Sequence, residues 1–382
     1  MDKFCKLRDS AALTRAVDRG GRQRSPRATL PVLTMFWLAN ADGRLVVGST
    51  DLEAGVLYTA SGVPVSGMPE RGICAPAALL ELLRTWDGEL TLSWNEGASI
   101  LELKGIGQTA ALKCITGMEY PPFQGAVSLG APDGPISITA NGGDFRAAIE
   151  SVAFAASEDK ARPVLSGVFL ELTGSKLTMA ASDGFRLAQT SIEVDGPDTP
   201  KSIILGAAHL AQFCKMIDGD DPVTIDLSQA GRARLQYGPV EYFIQAIEGT
   251  FPDYRQIIPA KQSIEVDLPR AGLISAIRRA RIFSGDGSKI CRLTLDQGEH
   301  SYAVISGYGD ELGESREEFE IKNPGEKLEI GFNVGFMAEI LAASPEDEFI
   351  TIGLTLDTSP MTITGKATGG WLSVLMPMHL GQ

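Results

Sequence analysis

The chain has 382 residues, 44% of them hydrophobic, and a formal charge of −14. That length exceeds one ordinary domain and suggests two or three, each with enough apolar residues for its own core. It holds no run of 18 uninterrupted apolar residues, and the opening MDKFCKLRDS is charged where a secretory signal needs an apolar stretch. A soluble cytoplasmic protein with no membrane partner is therefore expected.

In chain order, residues 1–27 carry eight bases (Lys3, Lys6, Arg8, Arg15, Arg19, Arg22, Arg24, Arg27) against three acids, so the acidic balance lies in the remainder. Ser10 to Arg19 reads as a helix, and TLPVLTMFWLANADGRLVVGSTDLEAGV (29–56) as two alternating strands joined by a Gly- and Asp-rich turn. APAALLELLRTW from Ala75 has helical spacing, ELTLSWNEGASILELKGIGQTAALKCI returns to strands, and the unit closes on EYPPF (119–123). The order then repeats: a helix from Gly143 to Ala156, paired strands over 161–192, the helix GAAHLAQFCKMI from Gly206, more strands, and TFPDY (250–254). It repeats once more with a helix from Pro269 to Phe283, a weaker strand pair over 288–315, the helix NVGFMAEILAA from Asn333, strands, and MPMHL (376–380). The second helices start about 130 residues apart, a period that marks three copies of one α+β domain over 1–125, 126–258 and 259–382. Two helices at the same place in each strand order can form one layer while antiparallel strands form another. Like domains joined end to end tend to curve, and where that curvature suits closure, two such arcs meeting head to tail through one repeated contact make a ring.

A second basic run, Arg270, Arg278, Arg279 and Arg281, lies on the helix PRAGLISAIRRARIF, whose apolar face is Leu273, Ile274, Ile277 and Ile282. Basic helices on an acidic body point to one surface compatible with DNA. No recognition helix or finger is evident that would fix side chains against base edges. The second repeat is poor in bases, since Arg146 and Lys160 stand beside Asp144, Glu150, Glu158 and Asp159. Enzyme chemistry finds no support. His209, His300 and His379 lack spaced ligand partners, and no GxxxxGK[ST] or GxSxG occurs. GIGQTA (105–110) matches a dinucleotide pattern but sits between two strands with no helix after it, and Ser157–Lys160 matches Ser-x-x-Lys without companion motifs. Cys5, Cys74, Cys114, Cys214 and Cys291 are scattered and read as small buried apolar residues. No metal or cofactor is expected.

Four separated segments in the same order, RATLPVL (27–33), RPVLSGVFLEL (162–172) with ASDGFRLA (181–188), EGTFPDYRQIIP (248–259) and the terminal MPMHL, resemble the bacterial DNA sliding clamp family, the beta subunit of the replicative DNA polymerase III holoenzyme. The resemblance covers nearly the whole chain. It implies a head-to-tail homodimer forming a six-domain ring, helices inside and sheet outside, that encircles double-stranded DNA without catalysis. It also implies a pocket for a short peptide motif carried by polymerase subunits, the clamp loader and repair proteins. On that basis the DNA-binding candidates are Arg22, Arg24, Arg27, Arg146, Lys215, Arg278, Arg279 and Arg281. The pocket candidates are Leu165, Ser182, Gly184, Phe185, Arg186, Leu187, Pro252, Ile257, Val374, Leu375, Met376, Pro377 and Met378, and the dimer candidates are Leu112, Ile282 and Phe283. The run Asp310, Glu311, Glu314, Glu317 and Glu318 either faces bases of a first domain or is a solvated loop. Departures from the family pattern are Phe185 in place of the common His, Gln256 in place of a base, His379 in place of Arg, and the extension Gly381–Gln382. An alternative within the same fold is a protein-interaction scaffold that no longer loads on DNA.

Overall fold

The computed structural model describes residues 2–69, 71–121, 136–159, 161–227, 231–284, 289–296, 301–309, 312–322, 327–365 and 370–380. Lys160, His300, Asp310, Glu311, Gly381 and Gln382 of the expectations above, with the last two residues of EYPPF, lie outside them. Six α-helices are present among the described residues: α1 (Ala11–Gly20), α2 (Ala78–Arg84), α3 (Gly142–Ala153), α4 (Ala207–Cys214), α5 (Arg270–Phe283) and α6 (Val334–Ala343). All fall where the repeat places them. Helix α2 starts later than read, because Ala75 ends the strand Ile73–Ala75 and its backbone pairs with Phe36.

The chain divides into two compact units, one of residues 1–143, 195–197 and 212–246, the other of residues 144–194, 198–211 and 247–382. These cut through the second repeat, because its strands join sheets on both sides. In the first unit, Val240–Gln245 pairs with Ala54–Pro64, so strands from two repeats make one nine-stranded antiparallel sheet. A four-stranded sheet, Asp2–Leu7, Leu90–Asn95, Ile100–Gly105 and Gln108–Lys113, completes that unit, and Gln108–Lys113 is an edge strand. The turn Gly105–Gln108 is a hairpin with Gly107 at φ 72°, which disposes of the dinucleotide pattern. In the second unit, Arg186–Glu193 pairs with Leu372–Leu375 inside an eight-stranded sheet. A five-stranded sheet beside it ends on the edge strand Gly313–Ile321.

Each unit packs two neighbouring helices on sheet. Leu13, Ala16, Val17 and Gly20 form the buried face of α1. A Cβ on Gly20 would lie 2.4 Å from the Val47 carbonyl oxygen, so only glycine lets the helix end seat on that strand. Ser10 ties α1 to α2 by donating to the carbonyl of Trp86 (3.1 Å). In the second unit α5 buries Leu273, Ala276, Ile277 and Ala280, and α6 starts on an Asn333 side chain that accepts from the N–H groups of Gly335 and Phe336. Burying each such Leu or Ile contributes about 1.5–3 kcal/mol, which is why the local periodicity is decisive for the helices.

Candidate peptide and nucleic-acid sites

The thirteen pocket candidates all fall in the second unit, around the junction of Arg186–Glu193 with Leu372–Leu375. Arg186 lies opposite Leu375 and Leu187 opposite Val374. Leu165, Leu187 and Val374 share one buried cluster with Phe251 and Tyr254. Those three, with Leu375, are core beneath the site rather than its surface. The surface is Phe185 (59% exposed), Met376 (37%), Pro252 and Ile257, with Pro377 and Met378 half-buried on a short strand against Leu328–Asn333.

The turn Ser182–Arg186 fixes this surface. Ser182 Oγ donates to the Arg186 carbonyl (2.7 Å) and accepts from Gly184 N–H (3.2 Å), while Asp183 Oδ1 accepts from the N–H groups of Phe185 (2.8 Å) and Arg186 (2.9 Å). Gly184 stands at φ 92°, a conformation that turns Phe185 outward. The Phe185 carbonyl then accepts from Met376 N–H (2.9 Å), which locks the two exposed apolar residues side by side.

Arg186, expected in the pocket, is 8% exposed and acts from below. Its guanidinium donates to Asp183 Oδ2 (3.1 Å), Glu339 Oε2 (2.8 Å) and the Phe154 carbonyl (2.9 Å), and it covers the Phe336 ring at 4.4 Å. Phe185 stacks on that same ring, with centroids 6.4 Å apart. The sequence reading missed Phe154, Phe336 and Glu339, since nothing local links them to Arg186. It also missed Arg162, whose Nη1 would lie 3.4 Å from a Cβ on Gly184. Gln256 donates to Asp253 Oδ2 (3.0 Å).

The first unit contains a copy of this turn. In Thr50–Ala54, Thr50 Oγ1 donates to the Ala54 carbonyl (2.6 Å) and accepts from Leu52 N–H (3.0 Å), and Asp51 Oδ1 accepts from the N–H groups of Glu53 (3.0 Å) and Ala54 (2.8 Å). The Glu53 carbonyl accepts from Gln245 N–H (2.8 Å), as Phe185 does from Met376. Leu52 stands at φ 82° where the second unit has Gly184. The side chains differ throughout: here Gln23 bonds both Asp51 and the buried Tyr242 hydroxyl, and the Tyr120 hydroxyl accepts from Thr50 N–H (2.9 Å). Burial raises the pKa of both phenols, so they act as neutral donors and acceptors.

The DNA candidates divide by what already holds them. Arg22 donates to the Lys215 carbonyl (3.0 Å) and to Asp18 (3.3 Å), while its own carbonyl accepts from Gln212 (3.2 Å). Arg19 likewise donates to the Met216 carbonyl (2.7 Å). Both guanidinia thus satisfy carbonyls just past the C-terminus of α4, a favourable place for positive charge. Arg24 lies over the Phe36 ring at 4.1 Å and donates to the carbonyls of Gly21 (3.2 Å) and Thr34 (3.3 Å), and desolvation lowers its pKa. Arg279 is paired with Glu317. Arg27, Arg146, Lys215, Arg278 and Arg281 are exposed, with Arg278 on the face of α5 opposite its buried residues. Arg15, absent from the candidate set, is exposed on α1 away from its buried residues.

Of the dimer candidates, Leu112 is a half-buried residue of the edge strand Gln108–Lys113, Ile282 is 63% exposed at the end of α5, and Phe283 is half-buried. Tyr308 (63% exposed) lies between Gly307 and Gly309, whose backbones rest on Ala280 and Phe283, and Leu312 is 64% exposed beyond them. The acidic residues Glu314, Glu317 and Glu318 belong to the edge strand Gly313–Ile321, not to a loop. Among the described residues no helix is long and apolar enough to cross a membrane.

A thrice-repeated α+β frame, with sheets continued across repeats and outward arginines on helices, defines a clamp-type architecture. Residues 139–253 match the family description "DNA polymerase III beta subunit, central domain", and residues 255–379 match its C-terminal domain. The chain is similar to the beta sliding clamps of Salmonella typhimurium (26% identical, 93% of this chain and 94% of that one) and Synechococcus elongatus (28%, 93% and 93%). Its fold is that of the Bacillus subtilis DNA polymerase sliding clamp (TM-score 0.89, 19% identical, all of both chains). It is also that of the Pseudomonas aeruginosa clamp solved bound to griselimycin (0.88, 24%, 99% and 100%). The chain belongs to the bacterial DNA polymerase III beta-subunit family, the beta sliding clamps.

Proposed function

We propose that this protein is a non-catalytic processivity platform: two copies close head to tail around duplex DNA, and polymerase subunits, the clamp loader and repair proteins dock by a short peptide at the Phe185–Met376 surface. The three domains are 1–125, 126–258 and 259–382. The observation that carries the reading is the duplicated turn, with Glu53 bonded to Gln245 in one unit and Phe185 bonded to Met376 in the other. One frame used at successive repeat junctions is what a chain of like domains needs for regular end-to-end continuation.

Among the described residues Gln108–Lys113 is an edge strand in the first unit and Gly313–Ile321 an edge strand in the second, each a place where another chain can add by backbone pairing. Ile282, Tyr308 and Leu312 supply exposed apolar area beside the second of them. A head-to-tail dimer covers both edges at once. Grip on DNA then comes from exposed arginines exchanging phosphate contacts, with no base reading. The test is solution mass with a low-resolution image. A closed two-chain ring is expected, and a monomer at micromolar concentration would overturn the proposal.

A further inference from the structure

Resting on the clamp reading above, we infer that the cleft between α1 and α2 is a phosphate-contact site for the DNA backbone, formed by Arg15 and Arg84 and not by the neighbouring Arg22 and Arg24. The cleft has a volume of about 480 Å³ and is lined by Ser10, Thr14, Arg15, Asp18, Arg84 and Trp86 among others. Its neutral polar groups are already occupied. Ser10 donates to the carbonyl of Trp86 (3.1 Å), Thr14 donates to the carbonyl of Ser10 (2.8 Å), and the Trp86 indole N–H is turned to Glu89 (3.4 Å).

The free capacity of the cleft is cationic. Arg15 is exposed and among the described residues has no ion pair. Arg84 is paired with Asp18 (2.9 Å), yet its side chain is 59% exposed, and one guanidinium carries five donors, so most remain available. Asp18 also accepts from Arg22 (3.3 Å), so the carboxylate is held between two guanidinia and orients Arg84 without cancelling the charge. A cleft that offers only charged donors takes an oxyanion, and two arginines spaced across an open groove suit the phosphodiester of a strand lying along it. Arg22 and Arg24 are half-buried and each has two donors committed to this chain's own groups, which leaves the exposed Arg15 and Arg84 to meet the strand.

The test compares binding of a short duplex oligonucleotide by the full-length protein, Arg15→Ala, Arg84→Ala, the double variant, the charge-keeping Arg15→Lys/Arg84→Lys pair, and Lys176→Ala as a surface control, each across a salt series. The slope of log K against log salt falls by about 0.9 for each phosphate that the protein ceases to neutralise. The double variant is expected to flatten the slope by about 1.8, the equivalent of two phosphates, the lysine pair to keep the wild-type slope, and Lys176→Ala to leave it unchanged. A double variant whose slope equals that of Lys176→Ala, in a protein that does bind duplex DNA, overturns the assignment while leaving the clamp reading intact. Wild-type protein with no affinity for the short duplex would also overturn the assignment, whereas the clamp reading fails only if protein loaded on circular DNA is lost before the circle is cut or stays on after it. Inorganic phosphate titrated without DNA separates the sources: no saturable binding is expected, and saturable binding abolished in the double variant would assign the cleft to a free anion instead.

Discussion

Replacing Arg186 with Ala should loosen the strand junction under the proposed docking surface far more than any exposed charge change. The Arg186–Asp183 pair is nearly buried, at 8% and 13% side-chain exposure, and removing one partner of such a pair costs about 3–5 kcal/mol. Asp183 keeps two backbone donors, which reduces that loss, and Glu339 is 54% exposed, so its pair contributes at most about 1 kcal/mol. Against this, the Phe154 carbonyl loses its donor, about 1–3 kcal/mol if it stays dry, and the packing over Phe336 adds about 0.5–2 kcal/mol. The balance is a local destabilisation of about 4 kcal/mol. Hydrogen exchange of the amides in Arg186–Glu193 and Leu372–Leu375 reads it directly. Exchange should accelerate by about two to three powers of ten in Arg186→Ala and by less than tenfold in Glu339→Gln. Equal acceleration in the two variants, or less than tenfold in Arg186→Ala, would refute Arg186 as the residue that holds this junction.

The duplicated turn predicts opposite responses to the same kind of change. Gly184→Ala puts a Cβ at φ 92° and should lower stability by about 1–2 kcal/mol, whereas Leu52→Gly relieves φ 82° and should be neutral or mildly stabilising in thermal unfolding. A Leu52→Gly variant that loses more than Gly184→Ala would contradict the equivalence. Phe185→Ala should weaken a docked partner peptide about tenfold or more in anisotropy titration while leaving the melting temperature within a few degrees, because the ring is exposed and the turn is held by backbone. Unchanged affinity would remove Phe185 from the docking surface. Burial pushes the Cys5 thiol up to about 11 and those of Cys74, Cys114 and Cys291 up to about 12, and all five cysteines are buried. The native protein should therefore be inert to iodoacetamide at pH 8 and react only when denatured; fast labelling of the native state would show that a core opens.

Most secondary structure was legible in the sequence because burial is periodic: Leu13, Val17 and Gly20 mark α1, and Leu273, Ile277 and Ala280 mark α5. Long-range pairing was not legible. Nothing near Ala54 announces Val240–Gln245 as its neighbour, and nothing near Arg186 announces Leu375, so the compact units cross the repeat boundaries. The same limit explains the arginines. Charge at Arg22 and Arg24 is visible in the sequence, but a carbonyl at Lys215, 193 residues away, is not. The acidic run from Glu314 to Glu318 hid a strand because solvent-facing glutamates mask the two-residue alternation of an edge. Phe185 and Met376 were proposed from family resemblance, and burial separates them as exposed from Leu187 and Val374, which share their segments but lie in the core.

Retention on circular DNA tests the topological hold most directly. Protein loaded onto a nicked plasmid should stay through a high-salt wash that strips electrostatic binders, and should leave within minutes once a restriction enzyme linearises the circle. Loss in the wash before cutting, or persistence on the linear product, would contradict encirclement.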